Sequence, residues 1–507
     1  MKSLTPWIIL ILVIAIFIGC KKDDKISTNS SDMLSFSADT IIFDTVFTTI
    51  GSTTRLLKVY NDNDETVSIS NINIEGGDAS NFRINVDGDP GTIFQDVQIG
   101  ADDSLFIFVE VTVDVNNQTG PMVIEEHLNF TLNGNEQEVL LVAWGQDAHF
   151  HYPTSFLGSL GISCLDEDGD CFNGEGPVEE LWVNDKPHVV YGYLIVDSLD
   201  HLTIEAGTQV HFHDGSGLWV WRGGCITVNG EPNDRVVFQG DRLDFVYDDV
   251  PGQWDLIRIN DGPSGLDNVF NYATIKNSIV GIQATPVPIL QSTSQANSVQ
   301  TSENWLVLNG VIMKDNSDIG LFSRNTKVRA TNSVFANAGR FSGLLQGGGV
   351  YEFDHCTFAN YWTETTRNDP GFFISNRYPN ELNSDVTILY SIAGSFFRNC
   401  IMYGNNFEEF AYDFDTSSSE ITVVPGIFEN NLYKVNETNI NNLFFIGDNW
   451  TNNDPDFFDI SLRNYTLSAG SFAIDKASVS STLDIDLLGN FRPGGSNNDL
   501  GAYEAFE

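Results

Sequence analysis

Asn332-Ser333-Val334-Phe335-Ala336-Asn337 and, 23 residues later, His355-Cys356-Thr357-Phe358-Ala359-Asn360 decide the fold. The same frame recurs without gaps at four more places. Its first position is small or polar: Ala273, Gly310, Ser333, Cys356, Cys400 and Asn431. Two places later stand Ile275, Ile312, Phe335, Phe358, Met402 and Tyr433, all large. A spacing of two puts both positions on one face of a strand, the inward one. Immediately before the frame stand Tyr272, Asn309, Asn332, His355, Asn399 and Asn430. Asn tolerates left-handed backbone and hydrogen-bonds along a stack, so this column reads as an asparagine ladder at a turn.

The starts are spaced 37, 23, 23, 44 and 31 residues apart. Two equal spacings of 23, and one near twice 22, set the coil at 22–23 residues, with 44 covering two coils. One coil cannot bury its inner face alone, but stacked coils close a continuous core. The expected architecture is a right-handed parallel β-helix. The pattern starts at about residue 185, where Leu202–Gly207, Val210–Phe212, Gly217–Trp221 and Ile226–Gly230 are short strands with glycine punctuation. The C-terminal run Asp454-Pro455-Asp456-Phe457, Ser471-Phe472-Ala473-Ile474-Asp475, Asp486, Gly489-Asn490-Phe491-Arg492-Pro493 and Asp499-Leu500-Gly501-Ala502-Tyr503-Glu504 resembles the end of many secreted bacterial β-helix proteins of the pectate-lyase-like kind. It departs from their pattern with Phe472 where Pro is usual. Such a segment is expected to cap the last coil, which otherwise exposes strand edges.

Residues 34–148 carry a different signal. Leu105 to Val113 alternates as a strand, and Leu128-Asn129-Phe130-Thr131-Leu132 meets Asn133-Gly134, a hairpin turn signal. About seven strands in this span predict an immunoglobulin-like sandwich. Ser68 to Ile84, "SISNINIEGGDASNFRI", resembles bacterial relatives of a sandwich family of cilium-associated and surface proteins, in which the segment is structural. The fold class is therefore all-β. The expected divisions are 1–19, 20–33, 34–148, a linker over 149–184, and a β-helix with its cap over 185–507.

The N-terminus reads as an address. Lys2 precedes an apolar run from Trp7 to Ile18, then Gly19 and Cys20. Twelve apolar residues are fewer than the roughly 20 a spanning helix needs, and they fit a secretory signal. Phe17-Ile18-Gly19-Cys20 resembles a lipobox, which implies cleavage before Cys20 and lipidation of Cys20. Lys21-Lys22-Asp23-Asp24-Lys25 is similar to the signal that sends some Gram-negative lipoproteins to the outer face of the outer membrane. Residues 26–33 are polar and read as a flexible tether. The expected location is the outer membrane, lipid-anchored and facing outward.

Charge narrows the function. The 507 residues carry 25 Lys+Arg against 69 Asp+Glu, a net −44. Nucleic-acid backbones and anionic headgroups are repelled by such a surface, so no nucleic-acid partner is expected. Cys164 and Cys171 bracket Asp166, Asp168 and Asp170. A disulfide closing that loop suits an exported protein. The alternating aspartates suggest a Ca2+ site, although the EF-hand pattern fails, with Cys171 at its glycine position and Pro177 at its twelfth. The alternative is a solvated acidic turn. No cofactor is firmly implied.

Cys225, Cys356 and Cys400 read as core residues. His211 and His213 flank inward Phe212 and are expected to point outward without a third metal ligand. Trp219 and Trp221 alternate with Leu218 and Val220, which places both indoles outside beside Arg222. Exposed paired Trp is a platform for stacking on sugars, so Trp219, Trp221 and Arg222 form the candidate ligand site, unless another segment covers them. Lyases of the β-helix class combine calcium-binding carboxylates with a Lys or Arg base. Lys276 stands three places into its repeat and Lys314 four, so the frame does not stack them, and no catalytic set emerges. Non-catalytic binding of a glycan or cell-surface ligand is the leading expectation. Polysaccharide cleavage by a lyase or glycoside hydrolase, or a structural stalk, are the alternatives.

Overall fold

The computed structural model describes residues 25–115, 120–165, 171, 177–261, 265–286, 303–380, 383–417, 419, 421–436, 442–478 and 481–505. The chain divides into two compact units, residues 1–147 and 148–507.

The first unit is a two-sheet sandwich. One sheet orders Ser35–Phe36, Arg55–Asn61, Asp103–Val111, Phe82–Val86 and Asp89–Gly91. The other orders Thr40–Phe47, Asn135–Gln146, Met122–Leu132, Val67–Ile74 and Ile93–Phe94. Alternation builds the core: Leu105, Ile107, Val109 and Val111 are buried, whereas Phe106, Phe108 and Glu110 face out. Asn133 and Gly134 both have positive φ, 50° and 86°, as a tight hairpin between Leu132 and Asn135 requires. One pairing is parallel, Thr40–Phe47 on Asn135–Gln146. Residues 26–33, expected as a free tether, lie against this sandwich. Ser27 N donates to Thr66 O at 2.8 Å, and the Asn133 and Asn135 amides donate to the Asn29 and Ser30 carbonyls. Those side chains satisfy backbone acceptors that water would otherwise take.

The second unit is a stack of parallel coils. Eleven strands, from His149–His151 to Trp450–Thr451, form one sheet in strict chain order. A second, longer sheet runs through the same coils and is parallel apart from the antiparallel pair Ser155–Leu157 and Leu160–Cys164. The inward column is Ile275, Met313, Phe335, Phe358, Met402 and Tyr433, all buried in one continuous core. The preceding turn column is left-handed throughout: Tyr272, Gly310, Asn332, His355, Asn399 and Asn430 have φ between 44° and 65°. Gly310, not Asn309, occupies this place in its coil. The frame there is displaced by one residue, and Met313 rather than Ile312 faces in.

Two boundaries differ from expectation. The coils begin at His149 rather than at about 185. His149–His151 pairs with His188–Val190, and Leu160–Cys164 with Tyr193–Val196, so the expected linker is the first turn of the stack. The 44 residues from Cys356 to Cys400 make one coil, not two. Thr357–Asn360 pairs directly with Ile401–Gly404, and the excess length leaves the stack as an excursion that includes the hairpin Arg377–Asn380 and Asn383–Leu389.

The C-terminal segment is a strap on the outer face of the eleven-strand sheet, where a lid over the last coil was expected. Phe457, Tyr465, Leu467, Leu487, Leu500 and Ala502 cluster with outward Val334, Ala336, Ala359, Ile401 and Leu432. Polar ties fix its register. Asn332 Nδ2 donates to Ile485 O at 2.8 Å, Gly501 N to Asn399 O at 2.8 Å, and Ala502 N to Thr357 Oγ1 at 3.0 Å. Arg492 pairs with buried Glu504 and also reaches Asn332 Oδ1. The cause lies in the strands: with Val334 and Ala336 outside and Phe335 inside, both faces are apolar and both need cover.

Candidate functional site

Trp219 and Trp221 do lie on the outer side of their strand, opposite Leu218 and Val220 in the core. They are not an exposed pair. Trp219 is only 8% exposed and clusters with Ile162, Tyr193 and Ile195, with Cys171 packed alongside. Its Nε1 donates to Asn260 Oδ1 at 2.6 Å, and the Arg258 guanidinium lies 5.0 Å from its ring. Trp221 packs edge-on at 5.1 Å and is half-buried, and Arg222 is exposed. The first coil covers the surface that alternation alone left bare. The reading of these residues as a sugar platform is corrected to a packing role for Trp219.

Cys164 and Cys171 form a disulfide with Cα atoms 5.5 Å apart. Asp166, Asp168 and Asp170 lie outside the described residues, as does Cys20. His211 is buried, not outward-exposed, and its Nδ1 donates to Gly240 O at 2.9 Å. Burial pushes its imidazole down to about 4. His213 is exposed and pairs with Asp241 at 2.7 Å.

A well-defined concavity lies elsewhere, at the margin of the eleven-strand sheet. It is a cleft of about 460 Å³. Asp315 and Asn337 form its floor, Tyr361 to Glu364 one wall, Ile460, Ser461 and Arg463 of the strap another, with Asp249 and Asn405 at the rim. The floor comes from a second left-handed column, Asn277, Asp315 and Asn337, with φ of 67°, 56° and 49°. Asp315 stands where its neighbours carry Asn, which introduces a buried charge into a turn ladder.

That charge is answered by two cations. Arg463 donates from Nε to Asp315 Oδ1 at 2.8 Å and from Nη1 to Asp249 Oδ2 at 2.7 Å. Lys314 Nζ lies 3.4 Å from both Asp249 and Asp315. Lys276 and Lys314 are register partners, because the one-residue displacement at Gly310 brings them into line. This corrects the expectation that they do not stack. Lys276 pairs with Asp248, whose carboxyl is held below its ordinary value by that hydrogen bond. Burial pushes the Asp315 carboxyl up, and Lys314 and Arg463 oppose the shift.

The wall is rigidly founded. Arg367 is buried, bonds Glu409 through two nitrogens at 2.5 and 2.8 Å, and also donates to Asn360 O, Asp369 O and Asn405 Oδ1. Glu409 in turn accepts from Gly371 N and Asn406 N. Tyr361 stacks on Tyr465 at 6.1 Å, and the Tyr465 hydroxyl donates to Asn337 Oδ1 at 2.8 Å. Trp362 is buried, with Nε1 bonded to Thr365. The result is a pre-formed hollow with a partly exposed aromatic wall, lined also by Thr363 and Ser461, a composition suited to a small polar ligand with apolar faces.

No protein-family model and no curated protein matches the chain. Among solved structures, the chain resembles a family 123 glycoside hydrolase from Clostridium perfringens, described for glycolipid glycan hydrolysis. The identity is 11% and the TM-score 0.16, over 22% of this chain and 25% of that one. A likeness of that extent says nothing about activity here, and the site must speak for itself.

Proposed function

We propose that the protein is a lipid-anchored outer-membrane surface protein that binds a neutral glycan in the Tyr361 cleft without cleaving it. The observation that carries this reading is the pairing state of the cleft. The Tyr361 ring is left partly exposed, whereas Asp249, Asp315, Lys314 and Arg463 are engaged with one another, the Asn337 amide with Asp315 and Tyr465, and the Asn405 amide with Arg367 and Trp362. Stacking on an aromatic ring requires no charge on the ligand, which suits a chain at −44. The anchor rests on the apolar run ending at Gly19-Cys20. A labelled fatty acid fed to cells should mark the wild type and leave Cys20→Ala unmarked.

A second reading has one observation in its favour. Asp248, Asp249 and Asp315 share a face with stacked Lys276 and Lys314, the combination a polysaccharide-cleaving enzyme uses. Purified protein screened on a glycan array and then assayed for product separates the two. Retention without shorter products supports binding, and accumulation of unsaturated or reducing ends supports cleavage.

A further inference from the structure

The single-coil path from Cys356 to Cys400 brings two cysteines together. Thr357 is the register partner of Ile401, so the residues just before them are stacked, and Ile401 N donates to Cys356 O at 3.0 Å. Adjacent strands lie about 4.8 Å apart. A disulfide spans Cα separations of roughly 4.4 to 6.8 Å. Both side chains enter the same core and both are fully buried, with the Cys356 Sγ donating to Ala330 O at 3.5 Å and the Cys400 Sγ to Arg398 O at 3.2 Å. Both are free thiols in this structure. Cys225 makes an internal contrast: its register neighbour is His201, and its Sγ donates to Asp267 O at 3.3 Å.

We propose that Cys356 and Cys400 are an oxidation site, forming a second disulfide as the chain folds after export. Two S–H bonds break and one S–S bond forms. The two protons and two electrons pass to the disulfide of a thiol–disulfide oxidant of the export compartment, which becomes a dithiol. The exchange passes through a mixed disulfide between that oxidant and one cysteine, which the second cysteine resolves. It precedes closure of the coil, because the finished core admits no partner. Burial also pushes the Cys400 thiol well up, so the folded pair is inert to exchange.

The bond has a structural consequence. The segment it closes contains Tyr361 to Glu364 and the Arg367 anchor, so it ties the base of the excursion that forms one wall of the cleft. The proposal rests on the proposed export of the chain and stands whether or not the cleft takes a glycan.

The test uses the full chain exported through an oxidising compartment. Alkylation in denaturant without reductant, followed by digestion and mass spectrometry, should yield a Cys356–Cys400 linked peptide, lighter by two hydrogens than its separate halves. Cys225 should carry the alkyl label. In a Cys164→Ser/Cys171→Ser background, reductant during unfolding should lower the melting temperature, and adding Cys356→Ser/Cys400→Ser should abolish that response. Alkyl label on both Cys356 and Cys400 in most unreduced molecules overturns the proposal, as does a link from either to Cys225. Should the serine variants fail to fold, the peptide map of the wild type decides alone.

Discussion

Arg463 bonds Asp315 at 2.8 Å across 148 residues of chain, and this contact ties the strap to the floor of the cleft. The Asp315 side chain is 2% exposed and that of Arg463 25%. Removing the guanidinium leaves a buried carboxylate with Lys314 and the Asn337 amide, each at 3.4 Å, as its remaining side-chain partners among the described residues. Arg463→Ala should cost about 3 kcal/mol in urea unfolding. Combining it with Asp315→Asn should recover most of that loss, because Asn already holds the same left-handed place at Asn277 and Asn337. Equal destabilisation in single and double variants would mean that packing, not charge, holds the strap.

Trp219 gives a prediction opposite to that of an exposed sugar platform. Trp219→Ala empties a buried site and orphans Asn260 Oδ1 of its indole donor, so it should cost about 3 kcal/mol. Trp221→Ala, at a half-buried position, should cost about 1 kcal/mol or less. Denaturant titration of both variants checks the ratio.

Acid should loosen the first coil. His151 and His188 stack on Trp182 with ring centroids 4.7 and 4.2 Å from it. Burial lowers both imidazoles from near 6.5, to about 4 for His151 and about 3 for His188. The folded state therefore binds fewer protons than the unfolded chain, and their contribution is complete above pH 6.5 and declines as pH falls toward 4 and then 3. Melting temperatures followed from pH 7.5 down to 4.5 should drop less in His188→Phe than in the wild type. A parallel fall in both would place the acid sensitivity elsewhere.

What was legible in the sequence follows from periodicity. Phe335, Phe358, Met402 and Tyr433 announce an inward column because a large residue every coil has no other use, and Asn332, Asn399 and Asn430 announce left-handed turns. The frame slipped at Gly310 because Asn309 beside it matched the ladder better by residue type than by backbone. The strap's path was available in outline, since Val334, Ala336 and Ala359 make both faces apolar, but which segment covers them is a long-range fact. The cleft was illegible for the same reason. Asp249, Asp315, Tyr361 and Arg463 come from four separate stretches, and no local pattern joins a turn aspartate to an arginine in a C-terminal hairpin. The Trp219 pair misled because alternation reports which side a residue faces and is silent about what covers that side.

Titration of a neutral glycan retained by the wild type against Tyr361→Ala tests the central claim most directly, with product analysis on the same samples and a melting curve to confirm folding. The account predicts that Tyr361→Ala stays folded, that its affinity falls at least about tenfold, in line with loss of a sugar–aromatic stack, and that neither protein shortens the glycan. Unchanged affinity in a folded Tyr361→Ala protein, or product released by the wild type, would contradict it.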